Sequence, residues 1–268
     1  MAQVIFTGNF KGGVGKTTTS VLLSYVLAMK KYRVLFLDFD PQGNGTDLLM
    51  RKTFQMDKPH TTIYEALENQ DISSAIYKLN DYLSIAPADW SLKNFPRLLS
   101  KRFGTDYNMY GFLLDAALYP VQDDYDFIFI DVPPTLSDFT DNAIVAAHEL
   151  IIVMQTHEFS LGAAEDFVPY INQTLENFVT DVNLLGVVPV LMNASGRTDK
   201  FILEEAKKAF GEKMVNSQIK IRERVKAWGI TGIKNEDMHD EIVLDMYSEL
   251  TDELLTRLKK PKLNHLEV

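Results

Sequence analysis

Gly8-Asn9-Phe10-Lys11-Gly12-Gly13-Val14-Gly15-Lys16-Thr17-Thr18 is the stretch on which the reading of this chain turns. It joins an apolar run at residues 4–7, which predicts a strand, to residues 16–30, which predict a helix. Glycines let the backbone curl so that successive N–H groups point at one anion. The helix start adds its partial positive charge. Lys16 is then placed to reach the β- and γ-phosphates of a nucleotide, and the Thr17 hydroxyl to ligate Mg²⁺. A glycine-rich turn without a ligand is the plain alternative. Gly15-Lys16-Thr17 following a strand and opening a helix favours the phosphate loop.

The pattern repeats outward from this loop. Short apolar runs at residues 33–39, 82–86, 127–130, 150–155 and 184–192 predict further strands. Helical periodicity at residues 163–178, 200–210 and 240–259 falls among and beyond them. The strands are continuously apolar rather than alternating, as expected when both faces are buried. The expected fold is therefore α/β: a single P-loop NTPase domain whose mostly parallel, twisted sheet carries helices on both faces. The domain is expected to span residues 1–260, with a tail at 261–268. Residues 51–59 read as the least regular part.

Composition narrows the function classes. The chain has 268 residues, 46% hydrophobic, no cysteine and a net charge of −10. Without cysteine there is no disulfide, thiolate metal site or iron–sulfur ligation. No run reaches 18 apolar residues, and the N-terminus does not read as a signal peptide, so a cytoplasmic protein is expected.

Two carboxylates fall where a parallel sheet places its ligands, beyond the carboxyl ends of strands. Asp40 closes the second predicted strand in Asp38-Phe39-Asp40-Pro41-Gln42-Gly43-Asn44, and Asp131 closes Phe127-Ile128-Phe129-Ile130. Aspartate at a strand end also serves as a turn or helix cap. Two of them beside a phosphate loop favour the γ-phosphate and its metal. Pro133-Pro134 stiffens the turn after Asp131.

The general P-loop pattern wants glycine at position 10, where this chain has Phe10 followed by Lys11. Lys11 to Thr18 resembles the deviant Walker A motif of the ParA/MinD family of ATPases. The resemblance implies that Lys11, Gly12, Gly13, Val14, Gly15, Lys16, Thr17 and Thr18 bind ATP, and that Lys11 reaches across an ATP-induced homodimer to the other subunit's phosphates. Residues 38–44 resemble the family's Walker A′ motif, which implies that Asp40 orients the attacking water and that Asp38 is structural. Residues 128–134 resemble its Walker B motif, which implies that Asp131 holds Mg²⁺. Lys11, Lys16, Asp40 and Asp131 are thus the expected catalytic residues. Asn193 is implied to contact adenine.

Among the family's branches, the nitrogenase iron protein needs cysteines, and the kinase relatives need a tyrosine-rich tail that this chain lacks. A MinD-like, membrane-associated spatial regulator is the alternative, since Leu250, Leu254, Leu255 and Leu258 form an apolar stripe. Glu249, Asp252 and Glu253 on the same helix oppose an anionic membrane, so the stripe is expected in the core and no membrane partner is expected. The partition branch, which moves plasmids or chromosomes, remains. Between residues 195 and 234, ten basic residues stand against five acidic ones, a net +5 in a chain of −10. Such a patch suits a phosphate backbone. The resemblance implies nonspecific double-stranded DNA binding there, by Arg197, Lys200, Arg222, Arg224 and Lys226, and a centromere-binding (ParB-like) adaptor as stimulating partner on the nucleoid. The phosphate loop begins so early that no helix-turn-helix segment, and hence no operator binding, is expected.

Overall fold

The computed structural model of the chain describes residues 1–193 and 196–259. The predicted domain boundary at residue 260 and the tail at 261–268 lie outside the described residues.

Among the described residues eight strands form one sheet: β1 (Gln3–Gly8), β2 (Val34–Asp38), β3 (Tyr77–Lys78), β4 (Leu83–Ala86), β5 (Phe127–Asp131), β6 (Glu149–Gln155), β7 (Asn183–Met192) and β8 (Ile219–Lys220), in the order β3-β4-β2-β5-β1-β6-β7-β8. Every pairing is parallel except β3 with β4. Two short edge strands, β3 and β8, were not legible in the sequence, and the run at 82–86 is the fourth strand, β4, rather than the third.

The continuous apolar runs serve two cores. Leu35, Leu37, Ile128 and Ile130 face one core, packed by the helices Phe95–Phe103, Asp138–Ala146 and Glu158–Phe178. Val34, Phe36, Phe127 and Phe129 face the other, packed by the helices Lys16–Met29 and Met238–Leu258. Alternation along each strand thus loads both faces with apolar side chains, each contributing about 1.5–3 kcal/mol on burial. The helix Glu158–Phe178 starts five residues earlier than its periodicity suggests and runs through Pro169. The irregular region from residue 51 contains the end of a π-helical turn, Asp47–Thr53.

The C-terminal stripe is part of the core. Leu250 and Leu254 are buried, with Leu255 and Leu258 packed beside them. No helix among the described residues is long and apolar enough to cross a membrane.

Placing β5 between β1 and β2 brings the segments that leave these three strands to one edge of the sheet. That edge is where a doubly wound sheet holds its ligand.

Candidate nucleotide site and the basic surface beside it

The phosphate loop runs from β1 into the helix Lys16–Met29. Gly13 and Gly15 adopt φ of +75° and +90°, values that strain any residue with a Cβ. The helix opens with no side-chain cap and no acidic residue in its first turn. Its leading N–H groups and dipole therefore favour an anion. Lys16 is buried, and its Nζ donates to the Lys11 carbonyl oxygen at 3.2 Å across the loop. Burial lowers the Lys16 pKa, while Asp131 and Asp40 oppose that shift.

The predicted carboxylates gather beside Lys16. Asp131 ends β5 and is completely buried, and neither of its oxygens has a hydrogen-bond partner among the described residues. Burial, aided by Asp38, pushes its pKa up to about 8; the nearby Thr17 hydroxyl, along with Lys16, pulls the other way without satisfying either oxygen. Buried polar atoms without partners are rare in folded proteins. Two carboxylate oxygens next to a half-buried threonine hydroxyl fit a divalent cation. Among the described residues no three His, Cys, Asp or Glu form a ready-made metal cage. Mg²⁺ needs none, since it keeps waters and phosphate oxygens as ligands.

Asp40 lies two residues beyond the end of β2, not on the strand itself. It is buried, and its Oδ1 accepts from the Gln42 N–H at 2.9 Å. Burial raises its pKa; that N–H and Lys16 lower it. Asp38 has a different occupation. It accepts from the Thr46 N–H and hydroxyl at 2.7 and 2.8 Å and from the Asp40 N–H at 3.3 Å.

Phe10 has a structural reason. Its ring packs edge-on against Phe167 at 4.6 Å and Tyr170 at 5.5 Å. Residues that the sequence did not single out complete the anchorage. Asn9 accepts from the Lys11 N–H at 2.9 Å and donates to the Val153 carbonyl of β6 at 2.8 Å, and Gln155 donates to the Gly13 carbonyl at 2.9 Å. The Lys11 ammonium lies over the exposed Phe159 ring, 5.3 Å from its centroid. A Cβ placed on Gly12 would lie 3.6 Å from the Pro134 ring, so the phosphate loop runs beside the turn after Asp131.

Asn193 follows β7, and its N–H donates to Asp199 at 2.9 Å; Asp199 also accepts from Thr156 at the end of β6. Asp199 belongs to the helix Arg197–Phe210, which carries the exposed Arg197 and Lys200. β8 pairs Lys220 with Met192, bringing Lys220 and Arg222 beside Asn193. Arg197, Lys200, Lys220 and Arg222 are exposed and form no ion pair among the described residues. Lys226 is paired with Glu223. Arg224 is only 27% exposed and bridges Asp237 and the buried Asp240. Asp240 also accepts from the Trp228 indole at 2.9 Å.

Comparison with known proteins bears on the fold and the family. Residues 2–184 match the AAA domain family. The sporulation initiation inhibitor protein Soj of Bacillus subtilis is 31% identical over 221 residues, which cover 82% of this chain and 84% of Soj. The chromosome partitioning protein ParA of Myxococcus xanthus is 30% identical over 213 residues, 78% of this chain and 72% of that one. Among solved structures, a cobyrinic acid a,c-diamide synthase from Mycobacterium smegmatis with bound ATP analogue and magnesium superposes with a TM-score of 0.79 at 25% identity, covering 99% and 100% of the two chains. A phosphate loop opening an eight-stranded sheet and relatives at this level of identity lead to one assignment: the chain belongs to the ParA-type partition ATPase family.

Proposed function

We propose that this chain is a DNA-segregation ATPase that binds Mg-ATP, dimerises through the bound nucleotide and holds nonspecific DNA as a dimer. The observation that carries the ATPase half is the orphaned, buried carboxylate of Asp131 beside Lys16 and Asp40. Bound Mg²⁺ would neutralise charge on the β- and γ-phosphates. Lys16 contributes charge to the same phosphates, and the loop N–H groups orient them. Asp40 accepts a hydrogen bond from the attacking water and orients it. Lys11, from the second copy, supplies charge in trans as an arginine finger does. Hydrolysis is weak until the centromere-binding adaptor engages, and phosphate loss releases dimer and DNA.

The DNA half rests on Arg197, Lys200, Lys220 and Arg222, which lie beside the nucleotide edge rather than on a remote face. Lys226 and Arg224 are partly engaged within the chain and contribute less. The test is anisotropy of a labelled random-sequence duplex at low salt with ATP, ADP or no nucleotide. Binding with ATP alone is expected; equal affinity in all three states refutes the nucleotide switch, and no binding in any refutes the partition reading.

A competing reading is group transfer to a small acceptor. It is favoured by the likeness to the M. smegmatis cobyrinic acid a,c-diamide synthase and by a cleft beside Asp40 lined by Pro41, Gln42, Lys58 and Trp90. ATP turnover that requires a carboxylic acid and an ammonia donor, and ignores DNA, would establish it.

A further inference from the structure

We infer that Phe159 is a positioning residue for Lys11, holding the ammonium on the side of the loop away from its own carboxylates. The inference rests on the reading that Lys11 acts on a second copy of the chain.

The sheet order separates the two sides of the phosphate loop. β5 and β2, which lead to Asp131 and Asp40, lie on one side of β1; β6, which leads to Phe159, lies on the other. The Lys11 ammonium over the Phe159 ring is therefore drawn towards the β6 side.

The phosphate loop is also tied firmly to the helix that carries Phe159. Phe10 is wedged against Phe167 and Tyr170 of the helix that begins beside Phe159. Asn9 ties the Lys11 N–H to β6, and Gln155 ties Gly13 to it. The Lys11 backbone and the Phe159 helix thus form one rigid unit, and the freedom left is that of the lysine side chain. Such a side chain loses much rotamer entropy when ordered. An aromatic face ordering it beforehand lowers the cost of ordering it at a dimer interface. The Phe159 ring is itself braced by His157, 5.4 Å away between centroids. At 73% exposure, Phe159 adds little to the core.

Without the ring, Lys11 is free to swing towards the negative charge of its own site. Occupying that site in cis withdraws it from the shared one. Phe159→Leu should weaken the dimer formed with Mg²⁺ and a non-hydrolysable ATP analogue. An exposed cation–π contact corresponds to a factor of roughly two to five, and a symmetric dimer contains it twice, so the dimer dissociation constant should rise roughly 4- to 25-fold. Nucleotide affinity at concentrations where the chain is monomeric should not change. Phe159→Trp, with a stronger aromatic face, should restore or exceed wild-type dimerisation.

Sedimentation equilibrium on wild type, Phe159→Leu, Phe159→Trp, Lys11→Ala and the Lys11→Ala/Phe159→Leu double variant tests this. Support is a weakened Leu variant, a rescued Trp variant and no added effect of Leu in the Lys11→Ala background. If Lys11→Ala abolishes the dimer while Leu matches wild type, or Leu and Trp behave alike, the role of Phe159 is overturned and the trans reading stands. If Lys11→Ala dimerises normally, the trans reading fails and takes this inference with it.

Discussion

Asp38 and Asp131 are direct partners in the β2–β5 register, side by side and both completely buried, yet one is fully engaged and the oxygens of the other are left unsatisfied among the described residues. Asp38 is spent on the backbone that carries Asp40 and Thr46. Asp131 is left desolvated, with the charge of Asp38 raising its pKa further. The same pair of strands thus builds a rigid turn and keeps a carboxylate for a cation.

Stability of the nucleotide-free protein should fall as pH rises. Asp38 and Asp131 move from an ordinary 3.8 to about 6 and about 8. Between the ordinary and shifted values the native state binds more protons than the unfolded chain, so the unfolding free energy decreases with pH. The loss starts near pH 4, continues to about pH 8 and amounts to a few kcal/mol. Urea midpoints at pH 5 and pH 8 check this. Mg-ATP should shrink the difference, because a cation stabilises the ionised form of Asp131.

Asp131→Asn should make the nucleotide-free protein more stable and less useful. It removes the cost of protonating a buried carboxylate, so the gain should be small at pH 5 and rise on the order of a few kcal/mol by pH 8. The melting temperature should increase by several degrees at pH 8. The further rise that wild type shows on adding Mg²⁺ with ATP should disappear. A destabilised variant with intact Mg²⁺ dependence would remove Asp131 from the metal role.

The sequence carried the strand–loop–helix at residue 8, the strand-end aspartates and the two-sided sheet, because each is a local pattern of apolar runs and glycines. The roles of Asn9, Gln155 and Phe159 were not legible. Their partners lie more than 140 residues away in the chain and meet only through the β1–β6 pairing. Arg224 reads in the sequence as available charge, but the cap of the next helix claims it: Asp237 begins that helix and Asp240 turns inward to Trp228. β8 was invisible because a two-residue edge strand has no periodicity to read.

Asp40→Ala should separate binding from hydrolysis. The residue is buried beside Lys16 but supports the fold through a single Gln42 N–H contact. ATP affinity should change by less than about tenfold, while single-turnover hydrolysis falls on the order of 10²-fold. The ATP-bound dimer should persist in light scattering. Hydrolysis at the wild-type rate would exclude Asp40 from positioning water.

Gly8→Ala should disturb the loop from beneath. A Cβ at residue 8 would lie 2.2 Å from the Phe167 ring, which also supports Phe10. Overpacking of this kind costs about 1–3 kcal/mol. Nucleotide affinity should fall with it, because Phe10 anchors the start of the loop. Phe167→Leu in the same chain should recover part of the loss, a coupling that a thermodynamic cycle of melting curves would measure.

The basic surface should divide by how its charges are engaged. Arg224→Ala strips an ion pair from the buried Asp240 and should destabilise the fold by about 1–3 kcal/mol, so weakened DNA binding by that variant would not by itself identify a DNA contact. Lys220 and Arg222 are exposed, with no ion pair among the described residues. Lys220→Ala/Arg222→Ala should leave the melting temperature within about 1–2 °C of wild type. It should weaken ATP-dependent DNA binding and flatten the dependence of log affinity on log salt by about one unit for each phosphate contact removed. Salt slopes of wild type and both variants decide the matter: an unchanged slope in the double variant places the DNA elsewhere on the chain.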